Sequence, residues 1–299
     1  MLRQSYNNVH ILGRLNEINL KERDSAKDGR HYISGTVTFL VNQNVSGIDE
    51  QEVIPVQVFS FEKTNAGQPN PAYQNAHDLM TKGVSVAAVG VASKADSYEC
   101  NCRLQESNFK GRDGTILSVP QISGSFFSKR SGPAAEEEEA SFEAEVVLAS
   151  VADEVKNDET TGRMLVDGLI IQYNGTPDKV RFVVENPDAT SYIEQNWEAE
   201  NTVKLSGKIR YGSETVEVSN TDVAAFGEAP VKVRTRNIHE FVVTAGSAPY
   251  DEEKAYDCNE VIPALAEKKR VVEERLNNAQ SKNGGATGKA GSNRLSRGF

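Results

Sequence analysis

Two successive runs of strand, strand, strand, helix, strand, divided by a breaker and a block of acidic residues, predict a mainly β chain of two tandem five-stranded barrels. Each barrel carries a helix between strands 3 and 4. A C-terminal helix and a flexible tail are expected after them. At 299 residues the chain is long enough for two cores of ordinary size.

In residues 1–130, Val9, Ile11 and Leu12 lead into Gly13 as a first strand. Tyr32, Ser34, Thr36 and Thr38 alternate with Ile33, Val37 and Phe39 as a second, and the polar residues 21–30 join the two as a loop. Residues 53–61 make a third strand, in which Pro55 marks a sheet edge or a bulge. A helix opens at Pro71, ends apolar at Leu79 and Met80, and stops at Lys82-Gly83. Residues 84–91 then read as a fourth strand, with Gly90 at a bend.

Residues 131–141 are expected to be an acidic flexible linker, from Ser131-Gly132-Pro133 through the run Glu136 to Glu139. Residues 142–250 repeat the order. Strands are expected at 143–151, 164–173 and 179–185, with Asn174-Gly175 as the hairpin turn. Asp188 and Thr190 are candidate caps for a helix that brings Trp197 into the core. Residues 201–209, interrupted by Gly207, and 239–245 complete the second copy. The helix between the third and fourth strands selects OB-type barrels over immunoglobulin-like sandwiches, which have none there. Residues 251–279 are helical, with Ile262, Leu265, Val272 and Leu276 on one stripe against the second barrel. Residues 280–299 are a basic, disordered tail ending at Phe299.

The formal net charge of -10 is unevenly spread. Lys and Arg against Asp and Glu number 14 to 13 in residues 1–130, 10 to 22 in 131–249 and 9 to 8 in 250–299. The acidity therefore sits in the middle, and the N-terminal barrel is left free for a polyanion. Three cysteines, Cys100, Cys102 and Cys258, cannot build a disulfide framework, and the four histidines lack metal-ligand spacing. No phosphate loop is present, since Thr287-Gly288-Lys289 lacks a preceding strand. The expectation is a non-enzymatic protein without cofactor or metal. With no membrane span and no secretion signal, it is expected in the cytoplasm.

Three segments carry a family resemblance. Asn7-Asn8-Val9-His10-Ile11-Leu12-Gly13-Arg14-Leu15 resembles the first strand of the bacterial and phage single-stranded DNA-binding (SSB) proteins. Glu52-Val53-Ile54-Pro55-Val56-Gln57-Val58-Phe59 resembles their third strand, and residues 79–90 are similar to their helix-to-strand junction. The resemblance covers residues 7–90. It implies an OB fold that coats single-stranded DNA during replication, recombination or repair, with replication or recombination proteins as partners and oligomers as a possibility; the chain's divergence from the family suggests a phage-encoded relative. The chain departs from the family at Val53, where a tryptophan is usual, and in its basic tail, where the family has an acidic tip.

Sequence-tolerant binding of a single strand needs cations that track phosphates and exposed rings on which bases stack. The N-terminal candidates are Arg14, Arg30, Lys63, Lys94, Arg112, Lys129 and Arg130, interleaved with Tyr32, Phe59, Phe61 and Tyr98. Phe39, Phe126 and Phe127 are divided evenly between core and surface. Lys204, Lys208 and Arg210 share one strand parity, so one face, and extend the groove onto the second barrel; Lys179, Arg181, Arg234 and Arg236 flank them. Glu136 to Glu139 read most simply as solvated; as a DNA mimic they would cover the basic groove until a strand displaces them. A protein-interaction module and an RNA-binding OB protein are the competing readings.

Overall fold

The computed structural model describes residues 2–111, 113–130, 138–156, 158–218 and 232–283. The chain starts with β1 (Asn7–Asp24), β2 (His31–Val45) and β3 (Ile48–Phe61). Alternation sorts these strands as the sequence requires: Val9, Ile11 and Leu15, then Ile33, Val37 and Phe39, then Ile54, Val56 and Val58 are buried. Each such side chain contributes roughly 1.5–3 kcal/mol. β1 and β2 are longer than expected, and the loop shrinks to residues 25–30. A bulge between Leu15 and Glu17 lets β1 continue, because the extra residue returns Ile18 and Leu20 to the core side. Gly35 is needed where β1 and β2 touch: at φ 149°, a Cβ there would sit 1.9 Å from the carbonyl of Asn19.

Helix α1 (Pro71–Lys82) has the expected limits, with Asn70 Oδ1 accepting the Ala72 N–H and Pro71 in the first turn. Residues 84–91 are not a strand. Ser85 Oγ accepts the Ala88 N–H and opens α2 (Val86–Val89), Gly90 closes it at φ 71°, and a 3-10 turn follows at Ala92–Lys94. Asp96 ties off the excursion, accepting the Val84 N–H and donating its own N–H to the Val84 carbonyl. Alternating small apolar residues were outweighed here by a cap and a left-handed glycine. The fourth strand is β4 (Ser97–Lys110), followed by β5 (Ile116–Ser123) and β6 (Phe127–Arg130).

The second half has β7 (Glu139–Lys156), β8 (Glu159–Ile171), β9 (Pro177–Val184), α3 (Pro187–Asn196), β10 (Thr202–Val218) and β11 (Lys232–Gly246). Asn174-Gly175 turns between β8 and β9, with Gly175 at φ 79°. The cap of α3 is Asn186, not Asp188 or Thr190; its Oδ1 accepts the Asp188 and Ala189 N–H groups. Asn-Pro thus opens both α1 and α3. Trp197 closes α3, is buried, and donates from its ring nitrogen to Ser247 O at 3.2 Å.

The pairings repeat between halves. β1–β2–β3 is antiparallel, β3 meets β5 in parallel at Val56↔Ile122, β5 pairs with β4, and β4 also pairs with β1. Likewise β7–β8–β9 is antiparallel, β9 meets β11 in parallel at Val183↔Val242, β11 pairs with β10, and β10 also pairs with β7. The halves are joined strand to strand. β1 pairs with β7 from Asn7↔Ala144 to Leu12↔Glu139, making one eleven-stranded sheet in a mainly β chain rather than two separate sheets.

The expected acidic linker is shorter at its far end. Glu136 and Glu137 lie outside the described residues, but β7 already starts at Glu139, and the Glu138 side chain is buried, accepting from Arg14 Nε at 2.9 Å and from the Asn42 N–H at 2.8 Å. Burial and pairing replace the solvated state expected for Glu138, and Glu139, still partly exposed, pairs with Lys208.

Helix α4 (Cys258–Asn283) follows the second half. The stripe is turned from the one expected: Val261 is buried with Leu265 beside it, whereas Ile262 is 56% exposed. Its hold extends to both halves through Lys268, 9% exposed in its side chain, whose Nζ pairs with Glu106 of β4 and, at 2.7 Å, with Asp178 of β9.

Candidate nucleic-acid interface

On the outer face of β1–β2–β3, cross-strand rungs align side chains that point away from the core. Arg23 stands opposite Tyr32, which stands opposite Phe61; on the next rung Lys21, Ser34 and Phe59 align. The three rings form a cluster. Tyr32 lies 5.2 Å from Phe59 and 5.9 Å from Phe61, and Phe59 meets Phe61 edge-on at 5.1 Å. Phe59 is 56% exposed, whereas Tyr32 and Phe61 are half-buried against it. The Arg30 guanidinium sits 3.9 Å above the Phe61 ring, steered by Asp28 at 2.8 Å and Asn65 at 3.2 Å.

Lys63, just past β3, is exposed, as are Lys21 and Arg23. At the border His31 contacts Asp24 at 2.9 Å, and that hydrogen bond raises the imidazole pKa. The arrangement offers ring faces to a flat partner and at least four cations to an anionic one. Lys21 and Arg23 were missing from the sequence candidates. In the sequence, residues 21–30 read as a loop, and unbroken parity from Val9, Ile11 and Leu15 would have turned Lys21 and Arg23 inward; the bulge at Leu15/Glu17 turns them out beside Tyr32.

Other candidates do not join this cluster. Tyr98 faces the core at 6% exposure, and burial raises its hydroxyl pKa. It stands opposite Gly13 and Lys129, and of its polar sequence neighbours Ser97 is buried with it while Glu99 alternates to the other face. Arg14 is spent on buried Glu138. Lys94 is exposed in the 3-10 turn, Lys129 pairs with Asp96 at 2.8 Å, and Arg130 pairs with Glu99. These last two lie on β6, which joins the sheet through β4 and not through the β2–β3 pair. Phe39 and Phe127 stack in the core at 5.9 Å, whereas Phe126 is 55% exposed. Arg112 and the side chains of Arg234 and Arg236 lie outside the described residues.

The basic row expected on the second half is engaged by acids. Lys204 contacts Glu143 at 2.8 Å and lies 5.0 Å from the Tyr6 ring; Lys208 contacts Glu139 at 2.6 Å. Arg210, 11% exposed in its side chain, is held by Glu50, Glu185 and Glu240 at 3.3, 2.8 and 3.2 Å. Shared parity did put Lys204 and Lys208 on one face, but the acidic partners arrive from β7, β3 and β11.

The β8–β9 face occupies the position that β2–β3 has in the first half. Its rungs are Leu165 opposite Val183, Asp167 opposite Arg181, and Leu169 opposite Lys179. Asp167 contacts Arg181 at 2.7 Å and Lys179 at 2.9 Å. Burial works to raise the Asp167 pKa, but these two hydrogen-bonded cations overcome it and bring it down to about 2. Above the face, α4 and the β4–β5 hairpin leave a groove of about 960 Å³, lined among others by Ile116, Ser118, Leu165, Leu265 and Val272.

Among the described residues, no group of three His, Cys, Asp or Glu side chains is placed to hold a metal ion. Cys100 and Cys102 are buried free thiols. No helix among the described residues is long and apolar enough to cross a membrane.

Among curated proteins, none matches the chain in sequence. Among solved structures it is similar to the wild-type single-stranded DNA binding protein from Thermus aquaticus, at 11% identity and a TM-score of 0.48, covering 86% of this chain and 98% of that one. A deletion mutant of that protein gives 10% identity and the same TM-score of 0.48, covering 83% and 97%. The family model described as YorF matches residues 5–278, nearly the whole length over which the strands and helices above are laid out, and the chain belongs to the YorF family.

Proposed function

We propose that this protein binds single-stranded DNA on the outer face of β1–β2–β3, without strict sequence preference, and coats it during replication, recombination or repair. The observation that carries this reading is the Tyr32–Phe59–Phe61 cluster capped by Arg30, with Lys21 and Arg23 on the same rungs. An exposed ring beside a guanidinium accepts any base, for roughly 1–3 kcal/mol per stacked base, and the flanking cations track phosphates. In this reading each half is an OB-type barrel; the support is that β4 pairs back to β1 and β10 back to β7. Of the sequence candidates, Arg30, Tyr32, Phe59, Phe61 and Lys63 remain as the proposed contacts.

A second reading has one observation in its favour. The cations of the second half are paired with carboxylates, and its β8–β9 face is roofed into a groove, which suits a protein partner better than a polyanion. Fluorescence titration of labelled oligo-dT, duplex DNA and RNA at two salt concentrations tests both. The DNA reading expects oligo-dT to bind best and to weaken as salt rises. Equal binding of duplex, or no binding in dilute buffer, overturns it and leaves the protein-docking reading.

A further inference from the structure

The β2–β3 pair that bears the aromatic cluster at one end reaches, at its other end, into the second half. There Gln43 Nε2 donates to Ile209 O at 2.7 Å, the Ala140 N–H donates to Gln43 Oε1 at 2.9 Å, and Ser46 Oγ donates to Glu185 Oε2 at 2.6 Å. Glu52 of β3, 1% exposed, accepts the Tyr211 N–H of β10 through Oε2. Its other oxygen, Oε1, is buried with no hydrogen-bond partner.

The charges around Glu52 do not satisfy that oxygen. On β10, Arg210 is already held by Glu50 of β3, Glu240 of β11 and Glu185 just past β9. Arg163 of β8 is held by Glu240 and by Glu154 of β7. Tyr211 stacks on His239 of β11 at 4.3 Å. Among the described residues no cation lies within ion-pair distance of Glu52, so an ionised carboxylate here would be buried with half its acceptors empty. Glu50, two residues away on the same face of β3, is its acidic neighbour, and the two carboxyls can hydrogen-bond only when one of them carries a proton. Two carboxylates in such contact hold one proton between them.

We propose that Glu52 is protonated and donates that proton to Glu50, so that a carboxylic acid–carboxylate pair closes the junction between the β2–β3 arm and the second half. When the proton leaves to solvent, two adjacent carboxylates face each other and the arm loosens. Burial first, and the Glu50 carboxyl after it, push the Glu52 pKa up to about 7, against the Tyr211 N–H and Arg210. A carboxyl raised in the folded state stabilises it fully below its unfolded value, and that stabilisation is lost as pH climbs through the folded value. The junction therefore weakens between mildly acid and mildly alkaline conditions.

Thermal unfolding from about pH 6 to about pH 8.5 tests this, with Glu52→Gln as the comparison. The Gln carboxamide keeps both bonds, its oxygen accepting the Tyr211 N–H and its NH₂ donating to Glu50, and cannot lose a proton. The wild-type chain should lose several degrees of Tm across that range while the variant stays nearly level; His31 and His239 titrate alike in both and cancel. Parallel curves overturn the proposal. Carboxyl carbon NMR of the wild-type chain gives a second reading should the variant fail to fold: one glutamate titrating near neutrality supports the shared proton, and every glutamate titrating below about pH 5.5 overturns it.

Discussion

The β2–β3 face of the first half and the β8–β9 face of the second are built by the same pairings, yet they present opposite surfaces. The first is open and carries three clustered rings under a guanidinium, with Lys21 and Arg23 alongside, neither of them in an ion pair among the described residues. The second carries Leu165, Asp167 and Leu169 against Val183, Arg181 and Lys179, its cations closed onto Asp167, and is covered by α4 and the β4–β5 hairpin. The difference teaches that one backbone plan yields a binding face where a ring such as Phe59 stays exposed and cations such as Lys21 and Arg23 meet no carboxylate among the described residues. A cation closed onto a buried carboxylate, as Arg181 and Lys179 are onto Asp167, is less available to a ligand than an exposed one.

The roof over the second face should be its most fragile part. Replacing Lys268 by Met leaves Glu106 and Asp178 buried without their shared cation, which costs about 3–5 kcal/mol. Denaturant unfolding should show that loss, and limited proteolysis should release α4 before the strands; an unchanged midpoint would mean that the helix is held elsewhere. The contrast between faces is next. Changing Tyr32, Phe59 and Phe61 together to Ala should weaken oligo-dT binding by at least about 2 kcal/mol, roughly 30-fold, whereas Lys179→Ala with Arg181→Ala should stay within about twofold. Equal effects in fluorescence anisotropy would erase the distinction. The smallest effect is on acid stability. Asp167 is lowered to about 2, so its pairs stabilise the fold above its unfolded value and lose that contribution as pH falls from about 4 to about 2. Asp167→Asn should flatten that stretch by about 1 kcal/mol, a figure kept small because Lys179 and Arg181 are half-exposed.

Much of the fold was legible because its signals are local. Asn70-Pro71 and Lys82-Gly83 bound α1, Asn174-Gly175 turns a hairpin, and β-branched alternation marks β2 up to Phe39 and β3 from Ile54 to Val58. Residues 84–91 misled because alternation of small apolar residues suits a strand and a short capped helix alike, and Ser85 with Gly90 decided between them. Of the candidate site, Arg30, Tyr32, Phe59 and Phe61 were found from a polar and aromatic mixture on neighbouring strands. Tyr98 sat in similar company and went inward, since strand parity, which exposed Arg103 and buried Tyr98, outranks the polarity of adjacent residues.

By itself the sequence determined that the chain is mainly β, where its first helix begins and ends, and which rings and cations could meet on β2–β3. These depend on residues a few positions apart, whose periodicity and caps act before any distant contact forms. Tertiary structure decided which charges remain available. Arg14 meets Glu138, Arg210 meets Glu50 and Lys268 meets Glu106 across separations of more than a hundred residues, and Glu52 loses its solvent only when β10 arrives. Electrostatic neighbours are set by where strands end up in space, and no window of local sequence contains that distance.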